Sequence, residues 1–144
     1  MFSLHPQLAQ DSVLLGHMAL CQVRLSLDAN YPWCLLVPER EAVTEIHHLV
    51  EEDRLQLMRE SCQLAEVMVG LFDPKKINVA ALGNMVPQLH VHHIARFADD
   101  PAWPGPVWGK VAAQSYATEV LHKRCEKLIS ALAGEGFRPA PGVS

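Results

Sequence analysis

The chain has 144 residues, which corresponds to one domain of ordinary size and leaves little room for a second. Apolar residues make up 49% of it and charged residues 19%, so a substantial core can form and extensive disorder is excluded. The 12 basic and 16 acidic residues give a net charge of −4, which argues against a protein that binds nucleic-acid backbones.

Neither membrane insertion nor export is indicated by the sequence. The longest apolar stretch, residues 13–23, is broken by Gly16, His17 and Gln22 and is too short to span a bilayer. The first ten residues lack the basic start and the apolar run of a secretory signal. The four cysteines lie far apart without a C-x-x-C pair, so we expect reduced thiols in a cytoplasmic protein.

The first part of the chain predicts strands. Residues 13–18 form a first candidate strand, and the alternation of apolar and polar residues over 20–27 predicts a second, half-buried strand. Turn residues then lead into an apolar run over 33–37, so these two segments are expected to pair as a hairpin. A short helix is expected over 43–49.

A long helix is predicted over 53–72, because its apolar residues recur at helical spacing in two adjacent rows. One row contains Leu57, Leu64, Met68 and Leu71, and the other contains Met58, Cys62, Ala65, Val69 and Phe72. The outer face is expected to carry Arg54, Arg59, Glu60 and Glu66.

The second part of the chain predicts two more strands and a last helix. Strands are expected over 77–82 and 88–96, followed by an ordered loop over 99–109 that is rich in proline and tryptophan. A helix is predicted over 115–133, and the Gly- and Pro-rich residues 134–144 are expected to form a flexible tail. Strand pairs that flank one long helix predict a single α+β domain with an antiparallel sheet.

The segment Q-L-H-V-H-H-I-A-R at 88–96 is the most informative for function. Alternate side chains of a strand share a face, so Gln88, His90 and His92 are expected in one row. A neutral imidazole can attack phosphorus, while its neighbour fixes the tautomer or binds phosphoryl oxygens. His93 is expected on the other side, as a hydrogen-bonded, half-buried structural residue against the long helix.

A pair of histidines spaced H-x-H can also bind zinc. A zinc site would need a third ligand from His17, His47, His48, Asp28 or a cysteine. No C-x-x-C or H-E-x-x-H motif accompanies the pair, so the spacing alone gives a metal site little support. A structural role is the simplest interpretation of an isolated histidine, but two side by side among apolar residues favour function.

The same segment resembles the signature of the histidine triad (HIT) superfamily, H-φ-H-φ-H-φ-φ, in which φ is apolar. Gln88 stands at the first histidine, His90 at the second and His92 at the third. The segments L-D-A-N-Y-P-W-C-L-L-V-P-E-R and D-P-A-W-P-G-P-V-W-G are similar to one bacterial branch of that family. The resemblance covers about residues 12–109. It implies a HIT-like fold over 1–133, with an antiparallel sheet on one long helix and an additional C-terminal helix.

This resemblance implies a hydrolase or nucleotidyl transferase that acts at the α-phosphate of a nucleoside phosphoramidate or dinucleoside polyphosphate, without a cofactor or metal. His90 would be the nucleophile and form a nucleotidyl-histidine intermediate, and His92 would bind phosphoryl oxygens. Asn84 would lie near the phosphate, and Asp28, or Asn30 in its place, would bind the ribose hydroxyls. These last three residues also suit turns, which is their structural alternative.

Gln88 is the main departure from the family pattern, in which the first histidine supports the nucleophilic strand through hydrogen bonds. A glutamine both donates and accepts, so it can take over that catalytic support. The departure also keeps open a catalytically weak or inactive nucleotide-binding or interaction protein, and a zinc enzyme using the H-x-H pair is a third alternative. The expected partners are a nucleotide and a second copy of the chain in a homodimer, with no nucleic acid and no membrane.

Overall fold

The structure is a computed structural model and describes residues 1–134 and 136–141. In this described part, six strands form one antiparallel sheet in the order β4-β5-β3-β2-β1-β6. The strands are β1 (Ser12–His17), β2 (Cys21–Ser26), β3 (Trp33–Pro38), β4 (Lys76–Ala80), β5 (Val91–Arg96) and β6 (Arg138–Pro139). The helices are α1 (Pro6–Asp11), α2 (Glu51–Phe72) and α3 (Thr118–Leu132). This architecture confirms the predicted α+β class, the long helix and the C-terminal helix.

The core lies between the sheet and the two longer helices. Helix α2 contacts β5, α3 contacts β1, and the two helices also contact each other. The alternation predicted for β2 correctly places its apolar side chains in this core, but the strand is not half-buried, since Gln22 and Arg24 on its other face are buried too. The core includes Cys21, Val23 and Leu25 of β2, Leu64 and Met68 of α2, and Leu128 of α3. Each buried side chain of this size contributes about 1.5–3 kcal/mol, so the layer holds the sheet in place. Among the described residues, no helix is long and apolar enough to cross a membrane.

The buried stripe of α2 is narrower than the sequence predicts. Leu57, Leu64 and Met68 of the first row are buried, but Met58, Cys62 and Val69 of the second row are exposed. Met58 is 63% exposed and Val69 is 49% exposed. Helical periodicity predicts which residues share a face, but the width of the buried face depends on where the sheet lies.

Glu60 was predicted on the outer face of α2, and this prediction is wrong. The residue is only 1% exposed. Its two carboxylate oxygens accept hydrogen bonds from the backbone N–H groups of Leu20 and Cys21, both at 2.9 Å. Because a buried N–H without a partner is costly, this carboxylate fixes the turn between β1 and β2 against the helix. The contact joins residues about forty positions apart, so no local pattern reveals it.

Two short elements also differ from the prediction. The helix expected over 43–49 is a single 3₁₀ turn at Ile46–His48, and α1 was not predicted. Helix α1 starts at Pro6, and the Nδ1 atom of His5 accepts a hydrogen bond from the backbone N–H of Gln7 at 3.0 Å. Proline suits the first position of a helix because the N–H group it lacks would have no helical partner there.

Residues 136–141 do not form the flexible tail that their composition predicts. Arg138 and Pro139 pair with β1, and Phe137 is buried. Gly16 of β1 allows this packing, since a Cβ atom there would lie 2.5 Å from the Phe137 ring. The open edge of β1 and a buried aromatic ring outweigh the effect of nearby glycine and proline. Residues 135 and 142–144 of the predicted tail lie outside the described residues.

His93 faces the helix layer, as the strand alternation predicts, and it is fully buried rather than half-buried. Its Nδ1–H group donates to the carbonyl oxygen of Val91 at 3.2 Å, and the Ser61 hydroxyl of α2 donates to its Nε2 atom at 2.7 Å. Burial lowers the pKa of His93 to about 4, so the ring is neutral. Because the side chains of β5 alternate, His92 lies on the opposite, open face of the sheet.

Candidate active site

A cavity of about 660 Å³ lies on this open face of the sheet. Its volume falls in the range of small-molecule sites. Four of the six residues singled out by the sequence line it, namely Asp28, Asn84, His90 and His92. Gln88 lines a smaller cavity of about 360 Å³ next to it, and His90 lines both.

His90 lies just before β5 and is nearly buried, with 7% of its surface exposed. Its Nδ1 atom is 2.7 Å from the backbone carbonyl oxygen of Gln88. A carbonyl oxygen only accepts hydrogen bonds, so Nδ1 carries the proton. In the neutral ring the lone pair is then on Nε2, which makes this atom a potential nucleophile.

His92 has the opposite tautomer. The indole Nε1–H group of Trp33 donates to its Nδ1 atom at 3.0 Å, so the proton of the neutral ring is on Nε2. Burial, and then the neighbouring His90 and His93, lower the pKa of His92 to about 3. The ring therefore stays neutral at physiological pH and offers an N–H donor. The centroids of the His90 and His92 rings are 4.8 Å apart, so a nucleophile and a donor lie side by side.

Two tryptophans that were not among the predicted site residues, Trp33 and Trp108, line the cavity. The ring of Trp108 packs edge-on against His92, with centroids 5.1 Å apart, and against Trp33 at 5.7 Å. Trp33 pairs with Ile94, two residues after His92, so strand register places it on the same face as His92. That register was the signal that could have identified Trp33, whereas Trp108 comes from a loop without such a signal.

A buried ion pair holds this loop in place. The Arg96 guanidinium donates to both oxygens of Asp100, at 2.8 and 3.0 Å, and also to Asn78 and to the carbonyl oxygen of Gly105. Asp100 accepts further hydrogen bonds from the backbone N–H groups of Phe97, Ala102 and Trp103. Burial opposes ionisation of Asp100, but these hydrogen bonds outweigh it and lower its pKa to about 2. The loop that carries Trp108 is thereby fixed to the end of β5.

Asp28, which lines the cavity, forms a small hydrogen-bond network with Asn30. The Oδ1 atom of Asp28 accepts hydrogen bonds from the backbone and side-chain N–H groups of Asn30 and from the backbone N–H of Gln114. The side chain of Asn30 also donates to the carbonyl oxygen of Ala112. Asp28 lines the cavity and Asn30 does not. The geometry therefore gives Asn30 contacts that orient Asp28 and the segment 112–114.

The remaining two predicted residues occupy different surroundings. Asn84 is exposed, in the turn after Gly83, whose φ of 73° favours glycine. The side chain of Gln88 hydrogen-bonds with Ser3 and His5, so its recorded contacts are with the N-terminal segment and not with the other histidines. In the part of the chain that the structure describes, no three His, Cys, Asp or Glu side chains come together as a potential metal site.

The HIT domain family matches residues 7–99 of this chain. The chain belongs to the histidine triad family. Its resemblance to solved histidine triad proteins extends over nearly the whole fold. The one from Marinobacter aquaeolei VT8 has 49% identity and a TM-score of 0.89, over 92% of this chain and 96% of that chain.

Two other solved HIT proteins are similar. The protein from Bradyrhizobium japonicum has 40% identity and a TM-score of 0.89, over 91% of this chain and 98% of that chain. The protein from Sinorhizobium meliloti 1021 has 38% identity and a TM-score of 0.88, over 91% and 97%. No curated protein sequence matches significantly. The predicted family and fold are confirmed, and because the family contains nucleotide hydrolases and transferases, the fold supports a nucleotide-directed function.

Proposed function

We propose that this HIT protein hydrolyses or transfers the nucleotidyl group of a nucleoside phosphoramidate or dinucleoside polyphosphate through a nucleotidyl-histidine on His90. One observation carries the proposal. The rings of His90 and His92 have opposite tautomers and lie together in a cavity of about 660 Å³. A lone pair for attack and an N–H donor for a phosphoryl oxygen are what covalent nucleotidyl transfer requires.

The reaction follows from these two tautomers. The Nε2 lone pair of His90 attacks the α-phosphorus, a P–N bond forms, and the bond to the leaving group breaks as that group takes up a proton. The positive charge that develops on His90 is stabilised because its Nδ1–H group donates to the Gln88 carbonyl oxygen. The Nε2–H group of His92 donates to a non-bridging oxygen. Water then attacks phosphorus, releases its proton, and breaks the P–N bond to give the nucleoside monophosphate.

The rest of the cavity suits a nucleoside. Its aromatic and aliphatic walls include Trp33, Trp108 and Leu27, which provide apolar surface for a base. The three hydrogen bonds to Asp28 all go to Oδ1, which leaves Oδ2 without a partner among the described residues. We assign this oxygen to a ribose hydroxyl, and Asn84, on the turn beside His90, to the phosphate.

The direct test is release of AMP from adenosine 5′-phosphoramidate by metal-stripped protein, with AMP binding measured by calorimetry on the same sample. We expect release in the presence of a chelator, together with AMP binding. Binding without release would contradict the enzymatic proposal. Activity that disappears on stripping and returns with zinc would contradict the metal-free mechanism and support a zinc enzyme.

A nucleotide-binding protein with weak or no turnover is the second candidate. The observation that favours it is the position of the Gln88 side chain, which is engaged by the N-terminal segment and gives His90 no side-chain support. The two candidates share the cavity and the ribose contacts, and they differ only in turnover. The assay above therefore separates them.

We also propose a homodimer. Strand β4 is an edge of the sheet, and its Val79 is 53% exposed. Helix α2 packs against β5, the neighbour of β4, and presents the exposed row that includes Leu55, Met58 and Val69. A strand edge next to an apolar helix face can pair with the same surface of a second copy around a two-fold axis.

Light scattering after gel filtration should therefore give twice the chain mass of 16.0 kDa. Met58→Glu should shift the protein to monomer, because it would bury an unpaired charge in the interface. Glu52→Lys, at an exposed position in the first turn of α2, is the matched control and should remain dimeric. A monomeric parent protein would refute the homodimer.

A further inference from the structure

Gln88 connects two parts of the protein that are far apart in sequence. Its Oε1 atom accepts a hydrogen bond from the backbone N–H of His5, and its Nε2 group donates to the carbonyl oxygen of Ser3, both at 2.8 Å. The carbonyl of one residue and the N–H of the residue two positions later are the groups that an extended chain offers along one edge. The side-chain amide of Gln88 thus occupies the place of a neighbouring strand.

A glutamine is suited to this contact and a histidine is not. The amide has a donor and an acceptor on one planar end, side by side, so both can bind groups on the same edge of a chain. The two nitrogens of an imidazole point in divergent directions, so a ring cannot bind both groups at once. Glutamine at the first triad position can therefore bind both backbone groups of the N-terminal segment, which histidine at this position could not do.

This contact lies at the start of one wall of the large cavity. The segment 3–5 leads directly into α1, whose Leu8 is buried and whose Leu8, Gln10 and Asp11 line the cavity. The far end of α1 is tied to the sheet, since the backbone N–H of Leu27 donates to the carbonyl oxygen of Asp11 at 2.9 Å. Before the first residue of α1, the hydrogen bonds of Gln88 attach the preceding segment 3–5 in the same manner.

The same residue also contacts the nucleophile, because the backbone carbonyl oxygen of Gln88 accepts the Nδ1–H of His90. We propose that Gln88 is a positioning residue: its side chain holds segment 3–5 and thereby places α1 as a wall of the nucleotide cavity. The part of this inference that concerns the nucleotide rests on the proposed function. The two hydrogen bonds of the Gln88 side chain to Ser3 and His5 form a clamp on segment 3–5. Loss of this clamp weakens nucleotide binding more than it slows the chemical step, because neither bond contacts the reacting atoms.

Two variants remove the same hydrogen bond from opposite sides. Gln88→Ala deletes the amide. His5→Pro deletes the N–H donor, and the φ of −58° and ψ of 134° at His5 are already those of a proline, but it also removes the side-chain cap of α1. His5→Ala is the matched control, because it loses the same cap and keeps the N–H group that Gln88 binds.

Hydrogen exchange followed by mass spectrometry tests the clamp without reference to activity. In both Gln88→Ala and His5→Pro, the amides of residues 3–11 should exchange at least about tenfold faster, while those of β2 and β3 do not change. Residues 3–11 of the control His5→Ala should exchange more slowly than those of His5→Pro, and equal rates would show that the cap and not Gln88 protects this segment. Unchanged exchange over 3–11 in the first two variants would overturn the clamp, whatever the protein does with nucleotides.

AMP calorimetry and steady-state kinetics test whether loss of the clamp weakens nucleotide binding. Loss of one or two hydrogen bonds predicts a Kd and a KM raised about five- to tenfold in each single variant, with a smaller change in kcat. The double variant Gln88→Ala/His5→Pro should bind AMP no more weakly than Gln88→Ala/His5→Ala, because Gln88→Ala has already removed the hydrogen bond that the proline deletes. Additive losses, or faster exchange with unchanged Kd, would overturn the link from the clamp to the cavity wall. A parent protein that neither binds nor turns over nucleotide would refute the proposed function, while the exchange result still decides the clamp.

Discussion

His90→Ala should lower the rate of AMP release at least about a thousandfold, because the substitution removes the Nε2 lone pair that attacks phosphorus. The fold should be unaffected, since the side chain makes one recorded hydrogen bond, to the Gln88 carbonyl oxygen. AMP affinity should stay within a few fold of the parent, because most of the cavity is unchanged. Steady-state kinetics, calorimetry and thermal melting on the same preparation measure these three quantities.

His92→Ala is the graded comparison for this prediction. It removes a hydrogen-bond donor to the phosphoryl group but leaves the nucleophile, so we expect a loss of about a hundredfold. Mass spectrometry of quenched reactions should detect one added adenylyl group on the parent and none on His90→Ala. Turnover by His90→Ala within tenfold of the parent, or an adduct on another residue, would show that the proposed nucleophile is wrong.

Asp100→Ala should lower the free energy of unfolding by about 3–5 kcal/mol. The substitution leaves Arg96, which is only 1% exposed, as a buried charge without its carboxylate. It also removes the acceptor for three backbone N–H groups of the loop that carries Trp108. We therefore expect lower turnover as well, since Trp108 packs against His92.

Urea unfolding followed by tryptophan fluorescence measures this loss. The neighbouring Asp99→Ala is the matched control, because Asp99 is exposed, and it should change the unfolding free energy by no more than about 0.5 kcal/mol. Equal effects of the two substitutions would mean that the ion pair does not hold the loop.

The ion pair of Arg96 and Asp100 also predicts how the free energy of unfolding depends on pH. The pKa of Asp100 is lowered from 3.8 to about 2 in the folded protein, so its ionised form stabilises the fold above pH 4. This stabilisation should disappear as the pH falls from about 4 to about 2. The stability difference between parent and Asp100→Ala should accordingly narrow by about 2 kcal/mol over that interval. A difference that stays constant down to pH 2 would contradict the assignment.

Local patterns predicted the central elements of the fold well. The alternation in β2 predicted which of its side chains enter the core, and helical spacing predicted α2 to within two residues of its start. These patterns are local consequences of backbone geometry, which repeats every two residues in a strand and every 3.6 in a helix. Glu60 was misplaced because its partners are the backbone N–H groups of the turn between β1 and β2, which spacing along a helix cannot report.

In the candidate site, too, the sequence predicted some residues and missed the contacts that depend on the fold. The motif at 88–96 singled out His90 and His92, and the structure places both in one cavity with Asp28 and Asn84. The Trp33 contact that sets the tautomer of His92, and the contact of Gln88 with Ser3 and His5, were not predicted. Both join groups more than fifty residues apart, so their existence depends on how the strands and the N-terminal segment pack.

The sequence by itself determined the family, the α+β class, the neighbouring imidazoles of His90 and His92 at the start of β5 and the side to which His93 points. Each of these depends on residue type and on spacing within one segment. Only the tertiary structure decided which nitrogen of each imidazole carries the proton, which residues form the cavity walls, and what Gln88 binds. These features depend on hydrogen-bond partners and burial, and both are set by segments that the fold brings together from distant parts of the chain.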